Sequence, residues 1–147
     1  MANMSLQKLP AREQDPQVRN KNFSEVSQGY DAAMAMEEAS RCLHCKHRPC
    51  VAGCPVNVNI PDFIGLIAEG KFPEAYEAIR ATNSLPAICG RVCPQEVQCE
   101  AKCVRGIKGD PVGIGRLERF AADCAMEQGA EPQEVAPSTG KKVAVVG

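Results

Sequence analysis

The cysteines of this chain fall into two short runs whose spacing defines the chemistry that they could perform. The first run holds Cys42, Cys45, Cys50 and Cys54, and the second holds Cys89, Cys93, Cys99 and Cys103. Each run contains a Cys-x-x-x-Cys-Pro step, which ends at Pro55 in the first run and at Pro94 in the second. Soft thiolates select zinc or iron–sulfur clusters. With nine cysteines in 147 residues, the sequence predicts a metal-binding protein.

The order of the spacings favours iron–sulfur over zinc. The first run reads Cys-x2-Cys-x4-Cys-x3-Cys-Pro. Bacterial ferredoxins use Cys-x2-Cys-x2-Cys-x3-Cys-Pro, so this run carries two extra residues in its middle gap. Structural zinc sites usually pair two cysteine knuckles that face one ion. A zinc-bound structural or interaction module therefore remains as the alternative.

Eight clustered thiols provide the ligands that two four-iron clusters need, and two pairings are open. Each run could serve its own cluster, or the runs could exchange ligands as they do in two-cluster ferredoxins. In the exchanged pairing, Cys42, Cys45 and Cys50 take one distant thiol, and Cys54 joins three distant ligands. We favour exchange because the chain between Cys50 and Cys54 is too short to close easily on one cube.

Composition and charge argue against several other classes of protein. The formal net charge is −1, which offers no electrostatic grip on nucleic acid. The sequence contains no apolar run near the ~20 residues of a membrane span, and its polar N-terminus has no secretion signal. We therefore expect a cytoplasmic protein, in which a cysteine framework binds metal rather than forming disulfides.

Short helices must position these cysteines. Residues 1–30 form a polar N-terminal arm, which is either disordered or packed on the domain that follows at 31–129. Asp31 is a suitable N-cap for a helix that reaches about Cys42, and prolines suit the first turns of later helices. The predicted helices begin at Ala32, Pro61, Pro73, Pro94 and Ile114. The expected fold is an all-α domain of about five short helices.

Two of these helices carry candidate site residues. The helix at Pro94 would place Cys99 and Cys103 on one face. The fifth helix, from Ile114 to about Gln128, has an inward apolar face and an outward polar face. The inward face holds Ile114, Leu117, Ala121, Cys124 and Ala125, and the outward face holds Arg116, Arg119, Asp123 and Glu127.

Glu118 falls on the inward side of the fifth helix. A buried carboxylate must be paired, protonated or bound to metal. Spacing alone favours an ion pair with a nearby Arg or Lys. Cys124 is interpreted as a small buried hydrophobe, and His44 and His47 are not needed as ligands.

The C-terminal residues differ in character from the rest. Residues 130–140 are predicted to be a linker, and residues 141–147 (Lys-Lys-Val-Ala-Val-Val-Gly) read as a buried parallel strand followed by a glycine. This pattern is typical of the start of a Rossmann-like dinucleotide-binding domain, with Gly147 opening its loop. We therefore expect the chain to be part of a larger protein.

Several motifs resemble a known family. They are Arg41-Cys42-Leu43, Cys54-Pro55-Val56, Cys89-Gly90-Arg91-Val92-Cys93-Pro94-Gln95 and Ile114-Gly115-Arg116-Leu117-Glu118-Arg119-Phe120. These segments resemble the N-terminal domain of the glutamate synthase small subunit, a domain that also occurs in dihydropyrimidine dehydrogenase and in NADH-dependent ferredoxin:NADP oxidoreductase. The resemblance implies an α-helical ferredoxin-like domain with two [4Fe-4S] clusters, followed by FAD- and NAD(P)H-binding domains.

The resemblance also implies a function. In that family, NAD(P)H reduces FAD, and electrons cross the clusters to a partner subunit or domain. In an NADPH-dependent glutamate synthase the partner makes glutamate from glutamine and 2-oxoglutarate. In a ferredoxin:NADP oxidoreductase, the alternative, the partner is a ferredoxin-linked flavoprotein subunit. We expect no turnover from these 147 residues alone.

The family pattern further implies a specific ligand set, in which one ligand is not a cysteine. Carried over, the first cluster takes Cys42, Cys45, Cys50 and Cys103, and the second takes Cys54, Cys93, Cys99 and Glu118. Cys89 is left over as the less favoured ligand.

Overall fold

The computed structural model describes residues 3–129 and 136–146. Within these ranges the chain is mostly helical, with one small antiparallel hairpin. The elements are β1 (Arg12–Glu13), α1 (Pro16–Arg19), β2 (Ser27–Gly29), α2 (Ala32–Ala39), α3 (Pro49–Ala52), α4 (Ile60–Ala68), α5 (Phe72–Arg80), α6 (Pro86–Val92) and α7 (Ile114–Glu127). Three short 3₁₀ helices span Gln95–Val97, Glu100–Lys102 and Val104–Ile107. The predicted helical class is confirmed, but the described residues hold more helices than the five expected.

The helices begin where local chemistry favours them. Asp31 caps α2, and its Oδ1 accepts a hydrogen bond from the Met34 backbone N–H at 2.9 Å. Helices α3 to α6 each have a proline in the first turn, where its fixed φ suits the helix. The helices α1, α3 and α6 are too short to show an apolar period, which explains why they were not predicted. The predicted end of α2 was also late, because the helix stops at Ala39 and Cys42 follows it in a turn.

The core lies between α7 and the hairpin of α4 and α5. Phe63, Ile67, Ile79 and Leu117 are each fully buried in it, and each contributes roughly 1.5–3 kcal/mol by leaving water. The rings of Phe72 and Phe120 meet edge to face, with centroids 4.9 Å apart. Helix α7 therefore forms the central support of the domain.

The two ends of the N-terminal arm contact the domain, as the second of the two interpretations expects, whereas residues 15–26 are exposed. Strands β1 and β2 pair Arg12 with Gly29, and Arg119 of α7 donates to the Ser27 carbonyl at 2.8 Å. Arg119 was predicted to face outward, and that prediction is wrong, since the residue is only 8% exposed. The hairpin covers this face of α7, and no periodicity within α7 alone could reveal it.

The backbone of the second cysteine run differs from the prediction. The α-helix expected from Pro94 is replaced by the 3₁₀ helices Gln95–Val97 and Glu100–Lys102. Cys103 has an extended backbone, with φ −69° and ψ 126°. Cys99 and Cys103 therefore do not share one face of a helix.

Residues 136–146 adopt neither helix nor strand and are exposed. The strand predicted at 141–147 is not seen in its described part, because a strand needs a neighbour and residues 141–146 pair with none. Gly147 and residues 130–135 of the predicted linker lie outside the described residues. Across the described ranges, every helix is too short or too polar to cross a membrane.

Candidate metal centre

Four thiols from both runs line one cavity, which we call site one. Its cysteines are Cys42, Cys45, Cys50 and Cys103, and its apolar walls include Leu43, Pro49, Pro61, Val104 and Val112. Cys42 follows α2, Cys50 lies in α3, and Cys103 comes from the second run. The structure thus brings together all four residues of the first implied ligand set.

The loop that carries Cys45 and Cys50 has an unusual backbone. His44 and Arg48 have φ values of +46° and +43°, a region that costs residues other than glycine about 1–3 kcal/mol each. These two reversals turn the chain on either side of Cys45, and α3 then begins directly before Cys50. The two extra residues of the middle gap belong to this turn. Such stored strain is typical of functional sites.

The thiols of site one are close enough to affect one another's protonation. Burial raises the pKa of the Cys42 thiol, and the charges of Cys103 and Cys45 raise it further, against a lowering hydrogen bond from the His44 backbone. Burial raises the pKa of Cys50 to about 11, and Cys103 and Cys42 again contribute. Four thiolates at this site therefore need a positive centre to stabilise them together.

A second group of donors, which we call site two, forms around Cys54, Cys93, Cys99 and Glu118. Burial raises the pKa of Cys93 to about 11, with further contributions from the charges of Cys89, Glu118 and Cys54. Burial likewise raises the pKa of Cys99 to about 12, followed by the charges of Glu100, Cys54 and Glu118. The second implied ligand set is therefore also gathered, and Cys54 lies here rather than at site one.

Glu118 is 9% exposed, and burial raises its pKa to about 7. The opposing effect comes from Asn83, whose Nδ2 donates to Glu118 Oε1 at 2.6 Å. The ion pair predicted from spacing is wrong, because no Lys or Arg among the described residues pairs with this carboxylate. Asn83 was missed in the sequence, where a lone Asn after a helix carries no recognisable signal.

Two glycines allow the elements of both sites to meet closely. A Cβ on Gly53, between Cys50 and Cys54, would lie 2.7 Å from the Gln98 carbonyl oxygen, so the first run packs directly on the backbone of the second. A Cβ on Gly90 of α6 would lie 2.6 Å from the Arg119 backbone nitrogen. The second contact holds α6, which carries Cys89, against α7 next to Glu118.

The remaining cysteines and the histidines are not members of the two implied ligand sets. Cys89 lies beside Cys93, and its Sγ is 3.6 Å from Asn83 Oδ1. Cys124 is half-buried against the core near Gly29 and Phe120. His44 and His47 are exposed. None of the nine cysteines, all of which lie in the described ranges, forms a disulfide.

Positive charge is placed near site one. Arg105 is 8% exposed, lines the cavity and is anchored by the Ser5 carbonyl. Arg41, directly before Cys42, is fully buried and pairs with Glu38 at 2.6 Å. Arg91, which flanks the second run, is held by Glu25 and Asp123 on the surface. Arg105 is therefore the cation best placed to offset negative charge in the cavity.

The donors of site one line a cavity instead of meeting at a point. In the part of the chain that the structure describes, no three His, Cys, Asp or Glu side chains are arranged to hold a single metal ion. Ligands of a four-iron cube each bind a different iron and so stand further apart than the four ligands of one tetrahedral ion.

A protein-family model agrees with this description of the chain. The model described as "dihydropyrimidine dehydrogenase domain II, 4Fe-4S cluster" matches residues 19–130. The chain belongs to this family. The matched residues contain both cysteine runs and Glu118, so the resemblance noted in the sequence is confirmed for the domain as a whole.

Curated relatives extend the comparison beyond the family model. The glutamate synthase [NADPH] small chain of Halomonas elongata is 38% identical over 99% of this chain and 32% of its own length. The putative oxidoreductase UacF of Escherichia coli is 42% identical over 88% of this chain and 20% of its own length. The NAD-dependent dihydropyrimidine dehydrogenase subunit PreT of Escherichia coli is 39% identical over 85% of this chain and 30% of its own length. The chain thus spans a third or less of these oxidoreductases.

Proposed function

We propose that this chain is the electron-relay domain of an NADPH-dependent glutamate synthase small subunit and carries two [4Fe-4S] clusters. It would pass electrons from NAD(P)H-reduced FAD to the partner synthase subunit. One observation carries the proposal: the candidate donors gather in two places, and each place draws on both cysteine runs. Such exchange of ligands between runs is the pattern of two-cluster ferredoxins.

The donors present fit such clusters. Cys42, Cys45, Cys50 and Cys103 would hold the first cluster, and Cys54, Cys93, Cys99 and Glu118 would hold the second. Seven thiolates satisfy the preference of iron–sulfur clusters for soft ligands, and the spread of the donors around a cavity suits a cube better than a single zinc ion. Each cluster would supply a reversible one-electron carrier.

The protein's own residues would set the properties of that carrier. The apolar side chains that line site one, such as Leu43 and Val112, partly shield the thiols from water. Arg105 places a positive charge at the same cavity, which favours the reduced and more negative state. Burial and nearby charge are two of the factors that tune cluster potentials. Loss of water disfavours the more negative reduced state, and the charge of Arg105 would offset that cost.

The relatives support the glutamate synthase assignment over others. The glutamate synthase small chains of Halomonas elongata and Escherichia coli align with 99% and 98% of this chain, so the similarity includes the N-terminal arm. The dihydropyrimidine dehydrogenase subunit aligns with 85%. Because the chain spans only about a third of these proteins, the FAD and NAD(P)H sites would lie in the rest of the subunit, beginning at Gly147.

A second candidate is the same domain in a related NAD-dependent oxidoreductase, such as a ferredoxin:NADP oxidoreductase. The 42% identity to an oxidoreductase of another name supports it. The associated subunit distinguishes the two. Copurification with a large synthase chain would support glutamate synthase, and copurification with a small flavin-containing chain would support the alternative.

Iron and sulfide analysis of anaerobically prepared protein tests the proposal directly. We expect about eight iron and eight acid-labile sulfide per chain, with the visible absorption of iron–sulfur clusters. Glu118→Ala should remove one cluster by iron count and electron paramagnetic resonance, and the matched Cys89→Ser should keep both. A loss confined to the Cys89 variant would disprove the ligand set, and stoichiometric zinc without sulfide would disprove the function.

A further inference from the structure

Asn83 is held in one orientation by its backbone neighbours. It follows α5, where its N–H donates to the Ile79 carbonyl at 3.0 Å, and the residue is 6% exposed. Its Oδ1 accepts from the Leu85 N–H at 3.0 Å. A backbone N–H can only donate, so the side-chain atom that faces Leu85 must be the oxygen. The amide nitrogen of Asn83 is therefore directed away from Leu85.

That nitrogen contacts Glu118. Asn83 Nδ2 donates to Glu118 Oε1 at 2.6 Å, a short hydrogen bond between two buried side chains. Among the described residues, no donor contacts the other carboxylate oxygen, Oε2. The amide thus fixes one oxygen of the carboxylate and leaves the second without a competing partner.

We propose that Asn83 is a positioning residue that presents Glu118 Oε2 as a ligand to site two. The inference rests on the proposed function, because it concerns the cluster assigned to that site. Hydrogen bonds to a metal ligand fix its orientation, and their loss typically costs 10–100-fold in metal affinity. By drawing electron density from the carboxylate, the same bond would also raise the potential of a cluster bound there.

The opposite side of the same amide contacts Cys89. The Sγ of Cys89 lies 3.6 Å from Asn83 Oδ1, within reach for a thiol donor. One side chain therefore contacts both the carboxylate that is proposed as a ligand and the thiol that is left out of the ligand set.

Asn83→Asp tests this role because it changes one atom. The variant keeps an oxygen for the Leu85 N–H but, when ionised, has no donor for Glu118. In the anaerobically prepared chain we expect a chelator to remove the second cluster roughly 10–100 times faster than in the wild type. The resonance spectrum of that cluster should change and its potential should fall, with the first cluster unaltered. Cys89→Ser is the matched control and should behave like the wild type.

A double variant that exchanges the amide and the carboxylate between positions 83 and 118 should restore the hydrogen bond. In Asn83→Asp with Glu118→Gln, the new amide at position 118 can donate to the new carboxylate at position 83 and offer its own oxygen to the iron. We expect this double variant to release the second cluster more slowly than Asn83→Asp alone, even if the single variant folds poorly. The proposal would be overturned if Asn83→Asp left both the release rate and the spectrum of the second cluster unchanged. It would also be overturned if the double variant released that cluster as fast as Asn83→Asp alone. Absence of iron from the wild type would instead overturn the proposed function.

Discussion

Tyr30 joins the N-terminal arm to the helical domain. Its hydroxyl donates to the Leu9 carbonyl at 2.6 Å, and the residue is 5% exposed. Burial raises the pKa of this phenol, while the hydrogen bond with Arg116 opposes the rise. The folded state therefore favours the neutral form more strongly than the unfolded chain does.

This shift predicts a pH dependence of stability. Because the pKa of Tyr30 is higher in the folded state, its contribution to stability is fully present below the ordinary tyrosine pKa of about 10 and is lost as pH rises through the folded value. In Tyr76→Phe, Tyr30 is the only tyrosine, and we expect its phenolate absorbance at higher pH in folded protein than in urea. Identical titrations in both states would contradict this.

Single residues also show where prediction from sequence stops. The spacing of the cysteines was sufficient to distinguish the eight candidate metal ligands of the two runs from the isolated Cys124, because ligands of one site often lie close together in sequence. The helical period correctly placed the Glu118 carboxylate on the inward side, but the predicted partner, an Arg or Lys, was wrong, since the carboxylate contacts Asn83. Asn83 is 35 positions away from Glu118 in sequence, and no local pattern reports such a contact.

At the scale of elements, the contact between α6 and α7 determines how Cys89 and Cys93 lie relative to Glu118. Gly90 makes this contact because a Cβ there would approach the Arg119 backbone nitrogen at 2.6 Å and its Cα at 2.8 Å. Both atoms belong to the backbone of α7, so they cannot move aside as a flexible side chain would. Helix α6 itself was not predicted, since it has only seven residues.

Gly90→Ala should therefore destabilise the protein. Alanine usually stabilises a helix by about 1 kcal/mol over glycine, but overpacking costs about 1–3 kcal/mol, and rigid backbone neighbours favour the upper end. We expect a net loss of about 1–2 kcal/mol in denaturant unfolding, with faster loss of the second cluster. Gly106→Ala is the control, because the nearest atom to its Cβ is 3.8 Å away; equal effects of the two would refute the packing argument.

At the scale of the molecule, a buried ion pair connects parts that are distant in sequence. Glu38 and Arg41 are 0% and 1% exposed. Glu38 accepts from the N–H groups of Leu9 and Gly113, both at 2.8 Å, and Arg41 donates to the Asp110 carbonyl at 2.8 Å. The pair therefore holds the arm, the start of α7 and the helix before Cys42 together.

Glu38→Gln should be among the most damaging polar substitutions. It leaves the Arg41 guanidinium buried without its counter-charge, and breaking such a pair costs about 3–5 kcal/mol. The exposed Glu37 lies in the same helix, so Glu37→Gln should stay within about 0.5 kcal/mol of the wild type. Guanidinium unfolding of the three proteins measures the difference. A loss below 1 kcal/mol for Glu38→Gln would show that the pair is dispensable.

The sequence predicted the helical class and the positions of α2, α4, α5 and α7, since these helices have caps, prolines or an apolar period. It did not predict how the arm covers Arg119 or how the second run divides into 3₁₀ turns. The first feature depends on contacts between segments that are distant in sequence. The second is consistent with the proposed sets, in which the neighbouring Cys99 and Cys103 belong to different sites. Long-range packing of this kind leaves little trace in local patterns.

The sharing of donors between the two runs has a consequence for synthesis. With the proposed sets, site one is complete once Cys103 has been made, whereas site two awaits Glu118, 15 residues later. Ribosomes add about 5–20 residues per second, so this interval lasts roughly 1–3 s. A growing chain therefore offers a full set of ligands for one cluster before the other. The order of ligands along the polypeptide gives the first cluster an earlier opportunity to assemble, without any need for a difference in affinity.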